Sequence, residues 1–214
     1  VRELAYQRVR TKDDLQAKLA LDLGADALGF NFFHGSPRCL SVGEAQAIVR
    51  RIPPTVWRVG VFVNHGRDEV ERIARQVGLD TLQFHGDETV EFCKGWAQWR
   101  VMRAIRAKPG ITEDSITPYQ KLCDHFLFDG FSSEEYGGTG VEIDPGVLRV
   151  IFDTGILKNS FLAGGLTPAN VGEKIRQLKP FGVDVSSGIE EAPGRKSANL
   201  LRAFIVAAKN ALSK

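Results

Sequence analysis

Cysteine is scarce. The 214 residues contain three, Cys39, Cys93 and Cys123, an odd number set far apart. With no Cys-x-x-Cys pair, neither a disulfide framework nor a zinc site is indicated, and a reducing compartment, the cytoplasm, is expected. The four histidines, His34, His65, His85 and His125, show no metal-ligand spacing, so no metal is expected. No apolar run reaches the roughly 18 residues of a membrane span. The opening Val-Arg-Glu-Leu-Ala-Tyr-Gln-Arg scatters its charges and lacks the apolar stretch of a signal peptide. An excess of one charge is also missing: 28 Lys and Arg stand against 26 Asp and Glu, interspersed, for a formal net charge of +2. Without a basic block, neither nucleic acid nor an anionic membrane is indicated as a partner.

What is present is an ordinary globular composition, 43% hydrophobic and 25% charged, which excludes intrinsic disorder. A chain of this length buries roughly 70% of the surface its unfolded form exposes, so its core needs no staple. No linker or composition shift divides it, and one domain over residues 1–214 is expected.

Along the chain, strand-like and helix-like segments alternate. Leu15, Leu19 and Leu23 lie four apart in a helix from Asp13 that Gly24 closes. Ser41 and Glu44 form a capping-box pattern at the head of the next helix. Val59 to Val63 is a continuous apolar run of the buried-strand type. Further helices are expected over Asp68–Val77, Thr89–Trp96, Ser115–Leu122, Asp144–Phe152, Pro168–Leu178 and Ser197–Ala211. Strands are expected near Leu4–Val9 and over Ala27–Phe32, Thr81–His85, Arg100–Ile105, Phe126–Asp129, Ser160–Ala163 and Gly182–Val185. Eight strand–helix pairs of about 25–30 residues predict an α/β fold of the parallel eight-stranded (β/α)8 TIM-barrel type. An open doubly wound sheet is disfavoured, since no Gly-x-Gly-x-x-Gly follows the first strand.

In such a barrel the chemistry sits where strands end. Two neighbouring strand–helix turns, Ala163-Gly164-Gly165-Leu166-Thr167-Pro168 and Val185-Ser186-Ser187-Gly188, combine glycines with hydroxyls. Glycines let backbone N–H groups approach an anion, and the pattern occurs in both turns together. That favours a phosphate site at Gly164, Gly165, Ser186, Ser187 and Gly188 over mere tight turning. Asp129 ends the apolar strand Phe126-Leu127-Phe128. A carboxylate there is partly desolvated, as suits a general acid, although a helix cap or a salt bridge fits the position equally well. Arg38, after the second strand, could hold a substrate carboxylate in a bidentate pair, against the plainer reading of a surface arginine. His85 is read as ordering its loop, and Cys39 as structural. The expected partner is a small phosphorylated substrate bound by a monomer or homodimer.

Together these segments resemble the phosphoribosylanthranilate isomerase family of tryptophan biosynthesis. The matching strings are Gly24-Ala-Asp-Ala-Leu-Gly-Phe30, Ser36-Pro-Arg38, Arg58-Val-Gly-Val-Phe-Val-Asn64, Leu82-Gln-Phe-His-Gly-Asp-Glu88, Gly137-Gly-Thr-Gly140, Ala163-Gly-Gly-Leu-Thr-Pro168 and Gly182-Val-Asp-Val-Ser-Ser-Gly188. They stand in family order and span about nine tenths of the chain. The resemblance implies a cofactor-free Amadori rearrangement of an aminoaldose phosphate to an aminodeoxyketose phosphate. It implies Asp129 as the general acid, Arg38 near the anthranilate moiety, and Gly164, Gly165, Ser186, Ser187 and Gly188 on the phosphate.

One departure stands out. The family opens on a strand reading Lys-Ile-Cys-Gly whose cysteine is the general base, whereas this chain reads Ala5-Tyr-Gln-Arg-Val-Arg-Thr-Lys-Asp13, with no cysteine. Three readings stay open. A short segment containing that motif is missing between Val9 and Arg10, which the intact remaining loops favour; or Cys39 or Asp13 is the base; or the chain binds a sugar phosphate without converting it. No base is assigned.

Overall fold

The computed structural model describes residues 6–10, 13–130 and 143–212. Its elements run β1 (Tyr6–Arg10), α1 (Asp14–Asp22), β2 (Ala27–Asn31), α2 (Val42–Val49), β3 (Trp57–Phe62), α3 (Arg67–Val77), β4 (Thr81–Phe84), β5 (Arg100–Ala107), β6 (His125–Gly130), α4 (Pro145–Asp153), β7 (Ser160–Leu162), α5 (Val171–Leu178), β8 (Gly182–Val185), β9 (Glu190–Ala192), β10 (Arg195–Lys196) and α6 (Ala198–Leu212). This is a parallel α/β fold. Strands β2 to β8 pair in sequence order as one curled sheet, and β1 pairs in parallel with both β2 and β8. The Gly137–Gly140 motif lies outside the described residues.

Local chemistry places the helix boundaries. Asp13 caps α1 by accepting from the Gln16 amide at 2.8 Å. Ser41 and Glu44 form the expected capping box of α2. Gly78, at φ +79°, ends α3 in the left-handed conformation that glycine adopts without penalty.

Two expected helices are absent. Residues 89–96 form hydrogen-bonded turns, with one such bond from the Cys93 amide to the Thr89 carbonyl, and Gly95 at φ +79° breaks them off. Residues 113–119 form two short 3-10 turns, Glu113–Ser115 and Thr117–Tyr119. Pro118 lacks the N–H that a continuing helix would use. Helix α5 starts later than expected, at Val171, because the Asn170 carboxamide accepts from the Thr167 amide at 2.8 Å and folds the preceding residues into a turn.

Period-two alternation sorts the strand residues. One set packs outward under the helices, including Leu28, Phe30, Phe62, Leu82, Phe84, Phe126, Phe128, Val183 and Val185. The other set faces the interior, where Met102, Ala104, Leu127, Phe161 and Ala163 form a separate cluster that Trp57 and Phe181 close at the amino ends of the strands. His125 joins this aromatic floor, with its ring 5.2 Å from Trp57 and 4.6 Å from Phe181. The interior is therefore apolar below. At the carboxyl ends, the same inward register brings up Gln83, Asp129 and Asp184, all buried.

Candidate functional site

One pocket opens at the carboxyl ends of β6, β7 and β8. Asp129, Gly164, Gly165, Asp184, Ser186, Ser187 and Gly188 line it, together with Ala163, Leu166 and Val185. Six of the seven residues singled out from the sequence thus meet in one place. Gly164 and Gly165 sit at φ +77° and +63°, a left-handed pair that other residues adopt only with strain. Gly188 serves a different need. A Cβ there would overlap the Leu166 carbonyl oxygen and stand 2.9 Å from its carbon. The β8 turn is therefore seated directly on the backbone of the β7 turn.

Asp129 shares the inward parity of Leu127 and is 2% exposed. Its Oδ2 lies 3.4 Å from His85 Nε2, and His85 Nδ1 lies 2.7 Å from the Gln83 carboxamide nitrogen. With that carboxamide donating, Nδ1 accepts and Nε2 carries the proton that faces Asp129. Gln83 and His85 alternate with Leu82 and Phe84, so both enter the interior while their neighbours pack outward.

Glu88 orders the loop that follows His85. Its carboxylate accepts from the Asn64 and Gly86 amides, each at 2.8 Å, and from Arg103 Nη1 at 3.1 Å. Arg103 also donates to the Phe84 and Gly86 carbonyls.

Arg38 is not part of the pocket lining. It is nearly buried and forms a bidentate pair with Glu190, Nε to Oε1 at 2.9 Å and Nη2 to Oε2 at 2.7 Å. It is thus neither a loose surface arginine nor an isolated cation. Lys196 Nζ reaches the same carboxylate at 2.6 Å and the Ser186 carbonyl at 2.9 Å. Burial alone would raise the Glu190 pKa, but the hydrogen bonds and charges of Arg38 and Lys196 outweigh it and hold the carboxyl below its ordinary range.

Neither alternative base named from the sequence reaches the pocket lining. Asp13 is committed to the cap of α1, and Cys39 Sγ lies 3.8 Å from His34 Nδ1. Among the described residues no cluster of His, Cys, Asp or Glu could hold a metal ion, and no helix is long and apolar enough to cross a membrane.

Sequence reading missed Gln83, Asp184, Glu190 and Lys196. The first two had a usable signal, since each is a polar residue at an inward position of an otherwise apolar strand. The last two had none, because only the β9–β10 hairpin brings them to Arg38.

An acid facing inward at the carboxyl end of a parallel sheet, beside two adjoining glycine-containing turns, defines an α/β enzyme whose chemistry sits at its strand ends. A family model described as "N-(5'phosphoribosyl)anthranilate (PRA) isomerase" matches residues 6–207. An N-(5'-phosphoribosyl)anthranilate isomerase of Trichlorobacter lovleyi is 44% identical over 196 residues, covering 92% of this chain and 93% of the relative. The crystal structure of phosphoribosyl anthranilate isomerase from Thermus thermophilus superposes with a TM-score of 0.85 at 32% identity, covering 96% and 98% of the two chains. A further such isomerase, solved in complex with reduced 1-(o-carboxyphenylamino)-1-deoxyribulose 5-phosphate, gives a TM-score of 0.81 at 30% identity, covering 97% and 100%. The chain belongs to the N-(5'-phosphoribosyl)anthranilate isomerase family, and with it to the isomerases.

Proposed function

We propose that the chain, acting as one closed (β/α)8 barrel domain in the cytoplasm, converts N-(5'-phosphoribosyl)anthranilate to 1-(o-carboxyphenylamino)-1-deoxyribulose 5-phosphate. The ligand held by the solved relative is a reduced form of that product. The phosphate dianion sits among Gly164, Gly165, Ser186, Ser187 and Gly188, where glycine backbone and serine hydroxyls offer donors. Arg38 takes the anthranilate carboxylate. Asp129, as the general acid, delivers a proton to the ribose ring oxygen. The C1–O bond breaks, its electron pair stays on oxygen, and the anilinic nitrogen supplies the pair that forms the Schiff base. Loss of the C2 proton then gives the enolamine, which becomes the ketone when C1 takes up a proton and the C2 hydroxyl gives one up. His85, held by Gln83, presents its Nε2 side to Asp129 and orients the carboxyl. The group that takes the C2 proton is not assigned.

The observation that carries this reading is that Asp129, the Gly164–Gly165 turn and the Ser186–Gly188 turn line one pocket. The test is turnover of N-(5'-phosphoribosyl)anthranilate by the purified chain, together with rescue of a tryptophan auxotroph lacking this isomerase. Conversion and rescue are expected. Tight binding of the product analogue without conversion would leave only a sugar-phosphate-binding protein and would overturn the proposal.

A further inference from the structure

Glu190 stands between the two ends of the proposed site. The hairpin of β9 and β10 pairs Lys196 with Glu190 in antiparallel register, which sets the two side chains against each other. The Glu190 carboxylate receives both Arg38, through two hydrogen bonds, and Lys196, through one. Lys196 then reaches on to the Ser186 carbonyl in the pocket wall. Side-chain exposures are 10% for Arg38, 5% for Glu190 and 2% for Lys196. Such a chain is only weakly screened by water. Within the cluster, two cations face one carboxylate, so the surplus is positive, as a substrate carrying two anionic groups requires. The bidentate pair also fixes the plane of the Arg38 guanidinium, while Lys196 fixes the carbonyl around which the β8 turn bends.

We propose that Glu190 and Lys196 are positioning residues that couple the two ends of the substrate site, so that the state of Arg38 sets the affinity of the Ser186–Gly188 turn for phosphate. The inference rests on the assignment of Arg38 and of the phosphate turn made above. The sign follows from the charges. Removing Arg38 leaves Glu190 half-neutralised, which draws Lys196 off the Ser186 carbonyl and makes the turn's surroundings more negative. Phosphate binding then weakens even for a ligand that never touches Arg38. Once Glu190 is neutral, the link is gone.

The test is calorimetric titration of the full chain with ribose 5-phosphate, which carries no aryl carboxylate. Arg38→Met is expected to weaken its binding by about fivefold, the lower end of ordinary site-to-site coupling. The same substitution made in a Glu190→Gln background is expected to change the affinity less than twofold relative to Glu190→Gln alone, as a double-mutant cycle reports. A merely structural loss from Arg38→Met would persist in that background. If Arg38→Met fails to fold by circular dichroism, Arg38→Gln, which removes the charge but keeps a polar side chain, is read against the same twofold threshold. An affinity within twofold of wild type, or a loss undiminished by Glu190→Gln, overturns the coupling while leaving the proposed function standing. Failure of the wild-type chain to bind ribose 5-phosphate at millimolar concentration overturns the phosphate-turn assignment and the coupling with it.

Discussion

Replacing Gly188 by alanine adds a single methyl group, and the structure says where it must go. Gly188 is not in the left-handed region, so the backbone itself accepts alanine. The obstacle is its neighbour, since the new carbon would overlap the Leu166 carbonyl oxygen, stand 2.9 Å from its carbon and 3.4 Å from Thr167 Cα. These are main-chain atoms and cannot swing aside as a side chain would. Carbon atoms rest about 3.5–4.0 Å apart, so clearing the carbonyl carbon alone takes roughly 0.6 to 1 Å, and the overlapped oxygen requires the β7 and β8 turns to part by more than that. Overpacking of this kind costs about 1–3 kcal/mol, a fall in Tm of about 2–12 °C for a chain this long. The functional effect is larger, because both turns line the pocket and a misplacement near 1 Å can cost about 10²-fold. Steady-state kinetics on N-(5'-phosphoribosyl)anthranilate should show kcat/KM reduced by ten- to a hundredfold, with ribose 5-phosphate binding weakened in parallel. Gly43 on α2 provides the control: a Cβ there meets nothing within 4 Å, and Gly43→Ala should raise Tm through helix propensity alone, worth up to about 1 kcal/mol. If Gly188→Ala keeps wild-type kcat/KM and Tm, the two turns are not in the contact described, and the argument for a shared phosphate seat fails.

Other substitutions test the acid and its surroundings. Asp129→Asn should lower kcat by about 10²–10⁴-fold while product-analogue affinity stays nearly unchanged, since only the proton donor is lost; wild-type kcat would remove Asp129 from the mechanism. His85→Asn should lower kcat by less, and its loss should not add to that of Asp129→Asn because His85 acts through that carboxyl; additive losses would show that it acts independently. The His125 pKa lies below its ordinary 6.5, chiefly because burial disfavours the charged ring. The unfolded chain therefore binds more protons than the native one between that lowered value and 6.5, so stability falls as pH drops through this window. Thermal melts between pH 7 and pH 5 should show this slope. His125→Phe, which keeps the packing on Trp57 and Phe181, should flatten it, and an unchanged slope would assign it to another group.

Much of this protein can be read along the chain. Strand positions followed from short apolar runs such as Val59–Val63, and helix starts from caps such as Ser41 with Glu44, because both are set by residues within a turn of one another. The two turns that line the pocket with Asp129 were legible for the same reason: glycines grouped with hydroxyl residues, and a carboxylate at the end of an apolar strand, are local patterns. The helices expected at 89–96 and 115–122 were not found, because Gly95 and Pro118 outweighed the apolar spacing around them. What local pattern could not supply was orientation and partnership. That His85 faces Asp129 depends on strand parity carried across β4 and β6. That Arg38 meets Glu190, 152 residues away, depends on the curled sheet bringing the β2 loop against the β9–β10 hairpin. Sequence alone determined the elements and the chemical types at the strand ends, since those rest on near neighbours. Tertiary structure alone decided which charges share a carboxylate, since ion pairing depends on distance in space and not along the chain.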